Sequence, residues 1–182
     1  VEGAAQRGIA ASQFKEAMRA FAGAVTIVTS ACAGRRYGMT ATAVCSVSAE
    51  PPTLLVCVNR ASTTHGAIAQ SAAFCVNVLR EGQRELSAIF SGAQKGEGRF
   101  RAADWLRLAS GAPVLANALV AFDCRVVARH EHGTHSVFFG EVQALRVGAR
   151  GRPLLYANGQ YAKLAAAHHG EPLPEGLDYW GF

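Results

Sequence analysis

The sequence predicts a mainly β, antiparallel fold, a barrel or sandwich with a few short helices capping its gaps. Three observations carry this. Six or seven β-branched, apolar runs of strand length are separated by Gly, Pro and Asn turns. Only two or three short segments show helical spacing. The regular β–α alternation and glycine-rich first turn of a doubly wound nucleotide fold are both missing.

Taken in order, "SQFKEAMRAFAG" opens on Ser12 as an N-cap. It sets Phe14, Ala17, Met18 and Phe21 at helical spacing and stops at Gly23, so a core-packing helix is expected. Ala24 to Ala31 is a β-branched strand. The stretch "YGMTATAVCSVSAEPP" follows after a turn. Read as one strand, Met39, Ala41, Ala43, Cys45 and Val47 share one face, and Thr40, Thr42, Val44, Ser46 and Ser48 the other, with the prolines ending it. Thr53 to Val58 is apolar on both faces, as in a strand buried on both sides. "ASTTHGAIAQS" is a short helix, Ala73 to Leu79 a buried strand, and "GQRELSAIFSG" a helix with Leu86, Ile89 and Phe90 together. The Gly- and charge-rich "AQKGEGRFRAADW" is expected to be a mobile loop. "ALVAFDCRVVARH" and "THSVFFGEVQALRV" form two strands joined by the turn "EHG", and "RPLLYANGQYAKL" closes the set. Residues 1–11 read as a loose leader, 12–165 as one domain and 166–182 as a Pro/Gly-rich tail.

At 182 residues the chain fits a single domain able to bury roughly 70% of its unfolded surface. No run approaches the ~18 apolar residues of a spanning helix. The leader lacks a signal-peptide layout, and the five cysteines (Cys32, Cys45, Cys57, Cys75, Cys124) contain no CxxC pair. A cytoplasmic protein with free, buried thiols is expected. The net charge of +5 is spread thinly, which favours anionic small ligands over nucleic acid.

Four places could carry chemistry. "NRASTTHGAI" leaves a buried strand and opens a helix, so Ser62, Thr63 and Arg60 either bind a phosphate or, in Ser62's case, merely cap the helix. The small hydroxylated face Thr40–Thr42–Ser46 would let a flat ring lie against the backbone, or be an exposed or dimer-buried strand face. Asn77, polar in an apolar strand, must find partners in a neighbouring loop or a ligand edge. His130, His132 and His135 are spaced for a metal only weakly. His135 fits a ligand mouth better, with the other two solvated beside the turn. No nucleophile elbow or carboxylate pair is present, so a cofactor is expected to carry any reaction.

"GMTATAVCSVSAEPPTLLVCVN", "FCVNVL", the "RF" of Arg99–Phe100 and "GTHSVFFGEV" together resemble the short-chain flavin reductases, the reductase components of two-component flavin-dependent monooxygenases. The likeness runs from about Ser12 to Leu164. It implies a split, Greek-key β-barrel of the FMN-binding type, a homodimer, FAD or FMN as flavin and NAD(P)H, chiefly NADH, as hydride donor to the flavin N5. Reduced flavin would serve a separate monooxygenase acting on aromatic compounds. On this resemblance Thr40, Ala41, Thr42, Cys45 and Ser46 line the flavin. Asn59, Arg60, Ser62 and Thr63 hold its phosphate end, His135 faces the nicotinamide, and Phe100 and Tyr161 neighbour the rings. A non-catalytic flavin- or haem-binding split barrel and a three-histidine metalloprotein are the rival readings.

Overall fold

A computed structural model describes residues 8–164. Part of the expected leader (residues 1–7) and all of the expected tail (166–182) lie outside the described residues. In chain order the elements are α1 (Ala11–Met18), β1 (Gly23–Ala24), β2 (Thr26–Cys32), β3 (Arg35–Ala41), β4 (Val44–Ala49), β5 (Pro52–Asn59) and α2 (Thr63–Ser71). They continue as β6 (Ala73–Val78), α3 (Arg84–Ala88), β7 (Trp105–Arg107), β8 (Pro113–Leu115), β9 (Val120–His132), β10 (His135–Val147), β11 (Leu155–Ala157) and β12 (Gln160–Ala162). No helix among the described residues is long and apolar enough to cross a membrane.

Seven strands form one antiparallel sheet in the order β3-β2-β6-β9-β10-β5-β4. Its two edge strands are consecutive in the chain, joined only through Thr42 and Ala43. Such a link reaches about 10 Å, whereas the edges of a flat seven-stranded sheet would stand about 29 Å apart. The sheet must therefore roll up until its edges nearly meet. β3 and β4 do not pair, so the barrel is split along that seam.

The link also corrects the single-strand reading of Tyr37 to Ser48. Val44 N–H bonds the Thr42 carbonyl at 2.9 Å, turning the chain through a corner. This resets the alternation, and Val44 packs in the same cluster as Met39 and Ala41 instead of opposite them. That inner cluster holds Val28, Leu54, Val56, Val58, Phe74, Val76 and Phe138, with Ile68 of α2 plugging one side. Gly140 leaves room for Phe74, whose ring a Cβ there would overlap. A second cluster covers the outside of β2 and β6 with Ile27, Cys75, Leu86, Phe90, Phe100 and Leu115. The central strands β2 and β6 are thus buried on both faces. β5 is not, because Leu55 and Cys57 alternate with its buried residues and remain half-buried. Its outer face lines an open cleft instead of a second core.

Two further expectations are corrected. The first helix starts at Ala11, its N-cap position held by Ala10, whose N–H donates to Gln13 Oε1 at 3.1 Å; Ser12 lies inside it. No residue of α1 is buried, and Phe14, Met18 and the following Phe21 are 59%, 42% and 72% exposed, so the helix is not packed into the core that the described residues form. The charged loop carries a 3-10 turn at Glu97–Ala102. It is held down by an Arg36–Glu97 ion pair at 2.9 Å and by the stacking of Arg36 on Phe100 and Arg99 on Phe90.

Asn77 is fully buried and wholly engaged. Its Nδ2 donates to the Ile27 carbonyl (3.0 Å) and Thr29 Oγ1 (3.2 Å), and its Oδ1 accepts the Leu115 N–H at 2.7 Å. The side chain clips the β7–β8 excursion to the sheet, which answers the sequence's open question in favour of a loop. Replacing Asn77 by Ala orphans the Leu115 N–H and empties a core position, so a loss of roughly 2–4 kcal/mol is expected in urea unfolding. The thiols divide as sharply. Burial holds the Cys75 thiol well above its usual range and pushes Cys124 up to about 12, the Asp123 carboxylate adding to both. Cys45 is exposed, contrary to the expectation of buried thiols. With a thiol-disulfide reagent at pH 8, Cys75 and Cys124 are expected to react only after unfolding.

Candidate functional site

The rolled sheet leaves two clefts on either side of Thr42. The first, of about 590 Å³, has the end of β3 as its floor, with Thr40, Ala41 and Thr42 in its wall. α3 and the turn after it contribute Arg84, Ser87 and Ser91. The β11–β12 hairpin contributes Tyr156, Gly159, Gln160 and Tyr161. That hairpin turns through Asn158 and Gly159 at φ +51° and +75°, an Asn-Gly turn in left-handed backbone, and so pairs Tyr156 with Tyr161 across its ladder. The two rings meet edge to face at 5.8 Å. Hydrogen bonds lock the walls together: Thr40 Oγ1 donates to the Ser87 carbonyl at 2.7 Å, and the Tyr161 hydroxyl donates to Ser87 Oγ at 2.9 Å.

The second cleft, of about 810 Å³, is apolar. Cys45, Ser46 and Thr42 line it, facing Leu55 and Cys57 of β5, Phe122 and Val142 of the long hairpin, and Met18 and Phe21 beside α1. Thr42 belongs to both clefts. The expected ring-binding set is therefore divided between adjoining hollows: Thr40, Ala41, Thr42 and Tyr161 in one, Cys45 and Ser46 with Thr42 in the other.

The expected phosphate set gathers at a third place, the corner between β5 and α2. Asn59 Oδ1 accepts the Ala61 N–H at 2.9 Å, shaping the turn. Ser62 caps α2 as the sequence predicts, its Oγ accepting the N–H groups of Thr64 and His65 at 3.1 and 3.3 Å. The cap consumes two of the amides that could meet an anion, leaving the Thr63 hydroxyl and N–H and the Arg60 side chain. Arg60 is paired with Glu131 at 3.3 Å, and Arg129 reaches the same carboxylate at 3.3 Å, so the corner keeps about one positive charge. His135 stands across the ladder from Asn59, at the tip of the β9–β10 hairpin, exposed, its Nδ1 2.9 Å from Thr134 Oγ1. It lines neither cleft. His65, next to the cap, lies 2.8 Å from Ser136 Oγ and tilts over Phe138 at 5.2 Å. Burial and then Arg129 lower its pKa, which leaves it neutral near pH 7.

Two expected site residues are corrected. Asn77 is a core tie, both ends of its amide spent. Phe100 is 2% exposed and packs between Phe90 and Trp105 at 5.1 and 4.9 Å, with no face open to a ligand ring. The three histidines of the hairpin do not converge either: among the described residues no group of three or more His, Cys, Asp or Glu side chains could hold a metal. Sequence reasoning missed Arg84, Ser87, Ser91 and Tyr156. The last was legible, since the "NG" between Tyr156 and Tyr161 is a two-residue hairpin signal that places those tyrosines opposite each other. Arg84 and Ser87 carry only an i, i+3 spacing on a five-residue helix, which says nothing of a cleft.

Known proteins agree with this architecture. A family model described as a flavin reductase like domain matches residues 18–165. The chain is 47% identical over 157 residues to an "FMN reductase (NADH) RutF 1" of Methylorubrum extorquens, covering 86% of this chain and 78% of that one. Among solved structures it resembles the Streptomyces globisporus NADH:FAD oxidoreductase SgcE6 in complex with NAD and FAD fragments, at 30% identity and TM-score 0.78, over 85% of this chain and 92% of the other. It also resembles BorF, the flavin reductase component of a bacterial two-component tryptophan halogenase, at 29% identity and TM-score 0.79, over 87% of this chain and all of that one. The split antiparallel barrel, its matched span and these likenesses agree, and the chain belongs to the flavin reductase-like domain family.

Proposed function

We propose that this protein is an NADH-dependent flavin reductase that takes FMN as its flavin and releases it reduced to a separate monooxygenase. One observation carries the reading: small residues at the end of β3, Thr40, Ala41 and Thr42, form the floor of a cleft faced by Tyr161 and Tyr156. At about 590 Å³ the cleft falls in the range of small-molecule sites, roughly 300–1,000 Å³. Short side chains admit a flat ring close to the backbone, and among the described residues β3 pairs only with β2, so its outer edge has no ladder partner and faces the sheltered gap where the edge heteroatoms of a ring would lie. The residues present fit a flavin. The chemistry such a flavin supplies is two-electron acceptance, the hydride coming from NADH. FMN is preferred here to FAD because the relative of 47% identity bears the name of an FMN reductase. The partner oxygenase is supported by neighbours that are components of larger systems, BorF and a homologue of nitrilotriacetate monooxygenase component B.

The chain's own part is orientation and shielding. Thr40 fixes the cleft floor to α3, Tyr161 supplies a ring face, and Thr42 with Cys45 and Ser46 extends the wall toward the apolar hollow. Placing two rings face to face is the chief demand of direct hydride transfer, an orientation effect that needs no acid in the same step. Thr63 and Arg60 would meet the phosphate at the α2 corner, where Ser62 and Asn59 shape the turn and His135 adds a donor across the ladder. A second copy of this chain would cover Phe14, Met18 and Phe21 and the apolar cleft, since the described residues of one chain leave them open to water.

Purified protein with NADH should consume it only when flavin is added, faster as flavin rises; absence of turnover with FMN, FAD and riboflavin alike would leave a non-catalytic barrel as the better reading. Thr63→Ala with Arg60→Gln is expected to weaken FMN by roughly 1–3 kcal/mol and riboflavin much less, measured by the Michaelis constants of the two flavins. Equal losses would place the phosphate elsewhere. Light scattering at micromolar concentration should give twice the 19.1 kDa of one chain, and a monomer would remove the covering copy.

A further inference from the structure

Charge is distributed very unevenly over the candidate site. Among the described residues, Arg84 is the only formally charged one lining either large cleft. It makes no ion pair among them, whereas Arg60 at the α2 corner is already matched with Glu131. Its exposed guanidinium also rests on an aromatic ring. It lies over the Tyr161 ring, 5.2 Å from the centroid. That ring is anchored by its hydroxyl to Ser87, three residues along from Arg84, and Ser87 in turn accepts from Thr40 of the cleft floor. Burial of the Ser87 side chain and the edge-to-face contact of Tyr156 complete the platform. A stacked guanidinium keeps its planar fork of N–H donors directed outward, and this fork matches phosphate oxygens two at a time.

We propose that Arg84 recognises the diphosphate of the reduced nicotinamide dinucleotide. This rests on the flavin reductase reading above. Both substrates in that reading are anionic, and the flavin phosphate has a cation at the α2 corner. The dinucleotide must bring two further negative charges to a nicotinamide that lies beside the cleft ring. The hydroxyls of Thr40, Ser91 and Tyr161 already donate to Ser87 and Ala88 and carry no charge, so they cannot offset a diphosphate drawn partly out of water. Arg84 can, at the rim of the same cleft. Its stacking on Tyr161 ties anion capture to a ring that also borders the reacting pair.

The test uses the whole protein and four substrates: NADH against dihydronicotinamide riboside, which has no diphosphate, and FMN against riboflavin. For Arg84→Gln, the ratio of kcat/KM for NADH over the riboside should fall about ten- to a hundredfold, the size of lost charge-assisted hydrogen bonds. Arg84→Lys, which keeps the charge but not the fork, should retain part of that preference. The preference for FMN over riboflavin should stay as in the wild type. An unchanged NADH preference, a fall in the FMN preference instead, or equal losses with both donors would each overturn the assignment; the last would make Arg84 a packing residue. Failure of the underlying reading shows separately, because the wild-type protein would then oxidise neither donor with any flavin.

Discussion

The two residues between β3 and β4 govern this molecule. Thr42 and Ala43 are too few to cross a flat sheet, so they force its first and last strands to the same side and roll the whole into a barrel. They are also too sharply bent to let those strands pair. The result is a closed wall with one unzipped seam. Along the seam the backbone of β3 has no ladder partner among the described residues, and the turns after α3 pack there instead. Thr42 sits at the corner, which is why it borders both hollows. An unpaired strand edge is ordinarily a hazard. Here a helix, a hairpin and bulky Tyr161 shelter it, and the sheltered gap is the candidate site.

Burying β2 and β6 on both faces solves the seam's energetic problem and creates another. Apolar contacts on two sides stabilise the centre of the sheet, but the outer layer includes the 103–118 excursion, whose backbone has few ladder partners of its own. Buried N–H and C=O groups must be paired. Asn77 reaches the Leu115 N–H, Thr29 donates to the Pro113 carbonyl, and Asp123 accepts both the N–H and the hydroxyl of Ser110. Three polar side chains inside apolar strands are thus ties between layers. Their presence explains how the Phe90–Phe100–Trp105 cluster can stand firmly behind the cleft.

Strand order along the chain was legible because β-branched runs and turn residues are unambiguous here, and the barrel class followed. Phase was not legible across Thr42–Ala43: alternation counts residues, and a corner adds none while resetting the face, so Val44 fell on the wrong side. Thr53 to Val58 shows the complementary failure. An apolar face looks the same whether it meets a core or an open apolar cleft, so Leu55 and Cys57 were overburied by pattern alone. The same ambiguity hid α1, whose Phe14 and Met18 have helical spacing but stay exposed among the described residues. At the site, Ser62 and Tyr161 were legible from local signals, a cap and a hairpin. Asn77 and Phe100 were not, because a residue type that suits a ligand suits a buried tie or an aromatic core equally well.

Hydrogen-bond supply at the cleft also bears on how a flavin would be held. Thr40 has given its proton to the Ser87 carbonyl, and the Ala41 carbonyl already accepts from Thr26 Oγ1 at 2.7 Å. Ser62 has spent its oxygen on two amides of α2, and Arg60 shares Glu131 with Arg129. What remains for a ligand is shape, an aromatic face, a few hydroxyls and residual positive charge. Contacts of that kind orient a ring well and hold it modestly, since most of the polar capacity stabilises the walls themselves. Tighter binding of the flavin than of the arrangement needed for hydride transfer would slow its departure without helping the chemical step. A site whose donors are committed to its own walls is therefore suited to a flavin that arrives, is reduced and leaves, as the proposed supply of a separate monooxygenase requires.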